Sequence, residues 1–408
     1  DIDSVGFAIG SPPYANNLNP FLQGSFRKIK ASTSENGSVS YIPNLDKAGE
    51  YAVYISYKHS DENVSNAKYK VYHLGGVTEF SVNQQIGGET WIYLGTFKFA
   101  KGENVNIGQV VLSNKSEDSG YVTTDAVRFG GGIGVVEREG TTSNRPKFVE
   151  GARYYLQYAG MPDTLVYKLN DRNDYNDDYQ SRGEWVNYLA GSPYGPNKKR
   201  DSNGLGIPID LSLSFHTDAG ITRNDTVIGT LSIYSFEDAK DKQVFPDGVS
   251  RMANRDLSDI MQTQIVDDLR AKYDSAWTRR QLMEAGYSEA FRPNVPSTLL
   301  ELLSHQNLQD VKFMNDPQFR FDVSRAIYKS MLRFLSAQNN YEYTVQPLPI
   351  THFTSTMDLG GNVKLSWEPK IDPLEESANA THYKLYTRTG NNGFDNGKIV
   401  KSKSFTFN

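Results

Sequence analysis

Six histidines and no cysteine limit the chemistry open to this chain. Without thiols there is no thiol nucleophile, no disulfide and no Cys-held zinc. His59 and His73 fall in a β-patterned first third. His352 and His382 fall in a β-patterned end, with no histidine or carboxylate companion in sequence. These four read as ordinary surface or core histidines. His216 differs. It ends the alternating run Ile209, Leu211, Leu213, Phe215 within Ser-Phe-His-Thr-Asp-Ala-Gly, where a chain leaving a sheet edge presents an imidazole to a cleft. In α/β sheets, ligands gather at that carboxyl edge. Asp218 stands close enough to hold the imidazole in one tautomer. Glu301 sits inside Leu299-Leu300-Glu301-Leu302-Leu303. A carboxylate cannot be cheaply desolvated, so it must be paired, beside a metal or protonated. Desolvation also raises its pKa toward the range of a general base or acid. The alternative is a nearby Arg or Lys that neutralises it structurally.

Other motifs carry less. The acidic stretch Asp171 to Asp178 lacks the glycine and the final glutamate of an EF-hand loop and reads as a solvated loop. Gly130 to Gly134 is followed by Val-Val-Glu-Arg rather than by a dinucleotide-binding helix, and reads as a hinge. The chain has no Walker loop, Gly-x-Ser-x-Gly elbow or His-Glu-x-x-His.

The elements that must position these residues change period along the chain. Residues 1–40 are rich in Gly, Pro, Asn and Ser, an irregular lead-in with one or two edge strands. From Tyr51 the pattern alternates: Tyr51, Val53, Ile55 and Tyr57; Tyr69 and Val71; Phe80 and Val82; Val105 and Ile107; then Tyr121 to Phe129 as one strand. Turn residues at short intervals between these runs predict an antiparallel sandwich. Beyond the hinge the period lengthens. Phe148, Ala152, Leu156 and Ala159 share a helical face that Gly160 ends. A strand at Thr164 to Leu169, a polar loop and a helix at Arg182 to Leu189 follow. Strands are expected to His216, at Thr226 to Tyr234 and at Thr298 to Leu303, the last buried on both faces. Helices are expected at Leu257 to Tyr273 and at Phe319 to Phe334, the second opened by Asp316-Pro317. This alternation means α/β with a mixed sheet. After Tyr343 strand patterning returns at Val363, Leu365 and Trp367 and from Tyr383 to Thr387, in fewer residues than the ~100 of a full sandwich. The expected domains are 1–135, 136–340 and a partial one at 344–408.

The 408 residues are 38% hydrophobic and 22% charged, as suits soluble globular domains rather than disorder. No apolar run reaches the ~18–20 residues of a spanning helix. The net charge is −5 and the 43 basic residues are scattered, which disfavours a nucleic-acid partner. The 25 tyrosines suit β-structure and glycan-facing surfaces. The lack of cysteine mildly favours an exported protein. A chain that begins at Asp1 reads as a processed or trimmed product.

Residues about 145–337 resemble part of a zinc-dependent N-acetylmuramoyl-L-alanine amidase. One signature is Ser214-Phe215-His216-Thr217-Asp218-Ala219. The other is Glu301, Asn307 and Asp310, followed by Asn315-Asp316-Pro317 and Arg325-Ala326-Ile327-Tyr328. The resemblance implies that His216 is a zinc ligand and Glu301 the catalytic glutamate, with Glu150 as candidate for a second ligand; Arg182, by its place after the acidic loop, is a candidate for orienting substrate. Two departures stand out. The family's Gly-His-Gly-Gly segment, source of the first histidine ligand, is absent, and its Gly-Phe after the glutamate is replaced by Leu303-Ser304. Either the first strand lies upstream of Asp1 or the site is degenerate; His305 is a possible substitute. Residues about 20–135 resemble the golvesin C-terminal-like module, also described as xanthan-lyase carbohydrate-binding-like. The match is carried by Gly49-Glu50-Tyr51, Tyr69 to His73, Val82-Asn83-Gln84-Gln85, Trp91 to Phe99 and Asp125 to Phe129. Carbohydrate binding is implied, with Trp91 as a candidate sugar platform or simply a core residue. Residues 344–408 resemble a truncated fibronectin type III domain, through Leu365-Ser366-Trp367 and Tyr383 to Tyr386.

Three functions follow as expectations. The first is a zinc amide hydrolase acting on peptidoglycan or another cell-envelope polysaccharide, in a secreted, periplasmic or cell-surface protein. The second is a glycan-binding scaffold with an inactive amidase-like domain. The third, a polysaccharide lyase, rests only on the name attached to related modules.

Overall fold

A computed structural model describes residues 2–5, 8–9, 26–130, 151–159, 161, 163–166, 173–191 and 204–407. Contacts divide the chain into two compact units, Asp1–Ile209 with Tyr386–Gly397, and Asp210–Leu385 with Lys398–Asn408.

The first unit opens with β1 (Ile2–Val5), β2 (Ala8–Ile9), β3 (Arg27–Lys30), β4 (Ser38–Tyr41) and β5 (Gly49–Ser56). It continues with β6 (Ala67–His73), β7 (Gly76–Val82), β8 (Ile92–Phe99), β9 (Gln109–Ser113), β10 (Tyr121–Thr124) and β11 (Ala126–Phe129). These form antiparallel sheets in the orders β1-β4-β9-β6-β7, β10-β3-β2 and β11-β5-β8. The period-2 pattern explains the packing: Val53, Ile55, Tyr57, Tyr69, Val71, Val110 and Leu112 all reach one buried core. Two strands differ from expectation. Val105 and Ile107 lie in a turn because Asn104 Oδ1 accepts from the Asn106 and Ile107 amides at 3.1 and 3.3 Å, an Asx turn that outcompetes the ladder. The run Tyr121 to Phe129 splits at Asp125. Its amide donates to the Ser56 carbonyl at 3.0 Å, which moves the chain from pairing with β3 to pairing with β5.

The described residues of this unit also form α1 (Ala152–Tyr158), α2 (Asp163–Val166) and α3 (Asp174–Ala190). Thr164 to Leu169 was expected as a strand. Its described part is instead the helical turn α2, whose Leu165 and Val166 are buried with Leu156 and Tyr188; residues 167–170 lie outside the described residues. The acidic stretch also differs. From Asn173 on it is the start of α3, which begins at Asp174 rather than near Arg182. Asn173 caps it by accepting from the Asn176 amide at 3.0 Å, and Asp174 and Asp177 sit in the first turn, where the helix dipole favours anions. The fully buried Arg153 lies 2.5 Å from Asp174. Asp171 and the glycine hinge beyond Gly130 lie outside the described residues.

The second unit contains β12 (Ser212–Asp218), β13 (Thr230–Tyr234), α4 (Met252–Lys272), β14 (Met283–Glu284), α5 (Ser288–Phe291), β15 (Ser297–Ser304), α6 (Leu308–Asn315) and α7 (Pro317–Asn339). Its sheet has the order β12-β15-β13-β14 and is mixed: β12 runs parallel to β15, β15 antiparallel to β13, and β13 parallel to β14. Leu300 and Leu302 of β15 pack with Leu257, Met261 and Ile265 of α4 and Phe319, Val323 and Ala326 of α7, which covers one face of the sheet. Asp316 caps α7 by accepting from the Gln318 amide at 2.8 Å, with Pro317 opening the helix. Next come β16 (Thr351–Met357), β17 (Val363–Glu368), β18 (Tyr383–Leu385), β19 (Lys398–Val400) and β20 (Ser404–Phe407), in an antiparallel sheet β16-β17-β20 and a pair β18-β19. The architecture is therefore multidomain, with antiparallel sheets, then an α/β part with a mixed sheet, then a small β part.

Candidate functional site

In the parallel ladder of β12 and β15, His216 is the register partner of Glu301. Register partners project from the same side of a sheet. Leu213 and the Leu300–Leu302 pair face the helical core, so Ser214, His216, Leu299 and Glu301 line the opposite face. Both chemical residues lie toward the carboxyl ends of their strands, where open α/β sheets take ligands. A register shift follows His216.

Each side chain has a charged neighbour. His216 Nε2 lies 2.9 Å from Glu289 Oε1, and Glu289, on the short α5, is only 8% exposed. With Glu289 ionised, Nε2 carries the proton and donates, which leaves Nδ1 as the lone-pair nitrogen, the form in which a histidine serves as base or metal donor. Asp218 was expected to hold that imidazole. Its Oδ2 instead lies 2.5 Å from Arg280 Nη1, while Oδ1 accepts from the Ala219 amide at 2.7 Å. Arg280 is held by its backbone: its amide donates to the Thr230 carbonyl at 3.0 Å, and its carbonyl accepts from Gln262 Nε2 of α4 at 2.8 Å.

Glu301 is half-buried among these charges. Burial, first, and the Asp218 carboxylate, second, push its pKa up; Arg280 and His216 pull it back. The arginine that would neutralise Glu301 thus exists, but it bonds to Asp218. A half-buried carboxylate raised in pKa beside an imidazole is suited to taking and returning a proton.

Asn307 and Asp310 build the frame instead of joining the chemistry. Asn307 caps α6 by accepting from the Asp310 amide at 3.1 Å. The buried Asp310 carboxylate accepts from the Ser304 amide at 2.8 Å and from the Ile228 amide at 3.3 Å. It braces a bend at which Leu303 takes φ 64°, left-handed backbone at the position where the amidase pattern has glycine.

The remaining expected residues lie elsewhere. His305 Nδ1 is 3.1 Å from Thr217 Oγ1, within the irregular stretch of β12 that follows His216. Arg182 belongs to the first unit and bonds to Asp178 at 2.6 Å. Glu150 lies outside the described residues. The guanidinium of Arg128 lies over Trp91, 4.5 Å from the ring centre. Glu289 and Arg280 were not singled out from the sequence. Neither belongs to a motif, and the only signal was the general need of an imidazole and a buried carboxylate for charged partners.

Zinc is implied by the amidase resemblance. Such a centre needs three protein donors aimed at one point. Among the described residues no three His, Asp or Glu side chains come together in that way. With Glu289 accepting from His216 Nε2–H, His216 Nδ1 is left as a single donor, so the described residues do not complete a zinc site. Among the described residues no helix is long and apolar enough to cross a membrane.

Residues 19–131 match the family model of the golvesin C-terminal domain. The chain is 36% identical over 94 residues to a xanthan lyase of Bacillus sp. (strain GL1), a stretch that is 22% of this chain and 10% of that protein; the chain thus spans about a tenth of the length of the curated relative it matches. Among solved structures, a Paenibacillus xanthan lyase is similar at 25% identity over 32% of this chain and 12% of that one, with a TM-score of 0.28. An N-acetylmuramoyl-L-alanine amidase from Clostridium difficile 630 is similar at 17% identity over 50% of this chain and 91% of that one, with a TM-score of 0.28. The first β-module is thus similar to the golvesin C-terminal domain over residues 19–131, and amidases are among the chain's structural neighbours.

Proposed function

We propose that the second unit is a hydrolase of the amidase type that cleaves an amide bond in peptidoglycan, and that the protein works outside the cytoplasm, secreted, periplasmic or at the cell surface. The golvesin-type module would hold it on cell-envelope glycan. The observation that carries this reading is the pairing of His216 and Glu301 on neighbouring parallel strands, with Glu301 raised in pKa. Glu301 takes a proton from the attacking water and returns it to the leaving amine. Glu289 fixes the tautomer of His216 so that Nδ1 faces the reaction as an acceptor, and Arg280 keeps Asp218 from adding its full charge to the site. Zinc enters through the resemblance alone, and no step above is routed through it. Glu301→Gln should abolish release of new amino termini from purified peptidoglycan while leaving the circular dichroism spectrum and melting behaviour intact. Wild-type turnover in that variant would rule the mechanism out.

The incomplete set of metal donors among the described residues favours a second reading, a glycan-binding scaffold with a degenerate site. Metal analysis of the full chain separates the two. Near-stoichiometric zinc with amide cleavage supports the hydrolase. An inert protein that takes up no zinc on reconstitution supports the scaffold. Polysaccharide lyase stays the lowest reading, since only the name of a relative that shares a short segment supports it.

A further inference from the structure

The turn joining β6 to β7 carries a segment from far along the chain. The loop Tyr386–Gly397 belongs with the first unit, and its tip rests on that turn. A Cβ on Gly75 would overlap the carbonyl oxygen of Phe394, and one on Gly393 would lie 3.1 Å from the Gly75 nitrogen. Backbone meets backbone here because Gly75 and Gly393 have no side chains. Asn396 anchors the same loop: its Nδ2 donates to the Val77 carbonyl at 2.5 Å, and its Oδ1 accepts from Thr78 Oγ1 at 2.7 Å.

Both anchors lean on His73, a buried imidazole. The Thr78 hydroxyl spends its one hydrogen on Asn396, so it must accept from His73 Nε2, 2.9 Å away. Nε2 therefore bears the imidazole proton. Nδ1 keeps its lone pair and accepts from the Gly75 amide at 3.1 Å. The ring is stacked on Phe97, with centroids 4.8 Å apart, which holds its plane. A second proton has only Nδ1 to bind, where it would point at the Gly75 N–H, and that peptide has no room to turn because Phe394 lies against it. We propose that His73 is an acid-sensitive latch: neutral, it holds the loop Tyr386–Gly397 on the β6–β7 turn, and protonated, it releases the loop. The surroundings offer the cation no compensation. Lys70 and Glu79, which pair at 3.3 Å, and Lys98 alternate to the other faces of their strands. In the loop, Asp395 accepts from the Thr387 and Gly397 amides at 3.0 and 2.9 Å, and the Arg388 guanidinium lies over the Phe394 ring. Burial accordingly lowers the His73 pKa from its ordinary 6.5, the direction expected where the fold favours the neutral ring. Docking is at full strength above about 6.5 and weakens by up to ten-fold per pH unit below it, until the docked imidazole is itself protonated.

The cysteine-free chain permits a nitroxide pair at Ser81→Cys on β7 and Asn391→Cys in the loop, both at exposed positions. Double electron–electron resonance reads the distance distribution between them at about pH 8 and about pH 5, on either side of the ordinary imidazole value. The expected result is a narrow distribution at the higher pH that broadens at the lower. Gly75→Ala, which puts a methyl group where the Phe394 carbonyl lies, should be broad at both. In His73→Gln, whose amide can donate to Thr78 and accept from Gly75 without titrating, the distribution should be the same at both. A proton NMR titration of the His73 imidazole, identified by its absence from His73→Gln, supplies the midpoint that release must share. A distribution in the parent chain that ignores pH, a narrow one in Gly75→Ala, pH dependence retained in His73→Gln, or release with a midpoint away from that of His73 would overturn the latch.

Discussion

At the scale of single residues, the site depends on which carboxylate each cation or imidazole selects. His216 has two acidic candidates within reach of its strand end, Asp218 and Glu289, and the fold assigns Asp218 to Arg280. The imidazole therefore takes its orientation from α5 and not from its own strand. Partners of this kind typically contribute 10–100-fold to the activity of the histidine they hold. Glu289→Ala should accordingly lower the rate of amide cleavage by about 10–100-fold, whereas Glu289→Gln, whose side-chain oxygen still accepts from Nε2–H, should recover most of it. Initial rates on purified peptidoglycan for the two variants check this, and equal losses in both would mean that charge rather than tautomer is what Glu289 supplies. Glu301 shows the same selection from the other side. Burial raises it, and the Asp218 charge beside it adds to the rise because Arg280 only partly offsets that charge.

At the scale of elements, β15 bends at Leu303, two residues beyond the Glu301 that pairs with His216 of β12. Leu303 in left-handed backbone carries roughly 1–2 kcal/mol of strain, offset by burial of its side chain in the helical core. The amidase-type glycine would relieve the strain and forfeit the burial. Asp310 ties this bend to the chain entering β13 through the Ser304 and Ile228 amides. Asp310→Ala strips two buried donors of their acceptor and should cost about 2–3 kcal/mol in urea unfolding, with amide protection lost first around Ser304. The two family-like signatures thus divide into chemistry, at His216 and Glu301, and scaffold, at Asn307 and Asp310. The sequence made the strands of both signatures legible because apolar alternation and a continuous apolar run each report burial directly. It also made α7 legible, through Asp316-Pro317. It hid Glu289 and Arg280, because a polar residue on a single helical turn or in a loop has no periodic signature and acquires its partner only through tertiary packing. Asp125 was hidden for a related reason: alternation continues through it, and only a backbone bond to Ser56 shows that one run serves two sheets. The short α2 looked like a strand because the brief apolar run that starts at Leu165 fits either period.

At the scale of the whole molecule, the two units have separate apolar cores. One is built on Val53, Tyr69, Val71 and Leu112 and the other on Leu257, Ile265, Leu300 and Phe319. The chain crosses between units more than once, because the segment Tyr386–Gly397 belongs with the first unit while the strands on either side of it belong with the second. Asn396 Oδ1, for example, accepts from Thr78 Oγ1 at 2.7 Å. Separate cores mean that a cavity in one removes contacts only there. Ile265 is fully buried on α4, and Ile265→Ala should cost about 2–5 kcal/mol, the range for truncating a large aliphatic side chain in a packed interior. Hydrogen exchange should then rise across α4, β15 and α7, while β5, β6 and β9 keep their protection. Residues 386–397 should keep theirs too, because their partners lie on the strands of the first unit. Exchange that rises equally in both units would mean that they unfold as one body, and the chemistry proposed at Glu301 would then depend on the stability of the first unit as well.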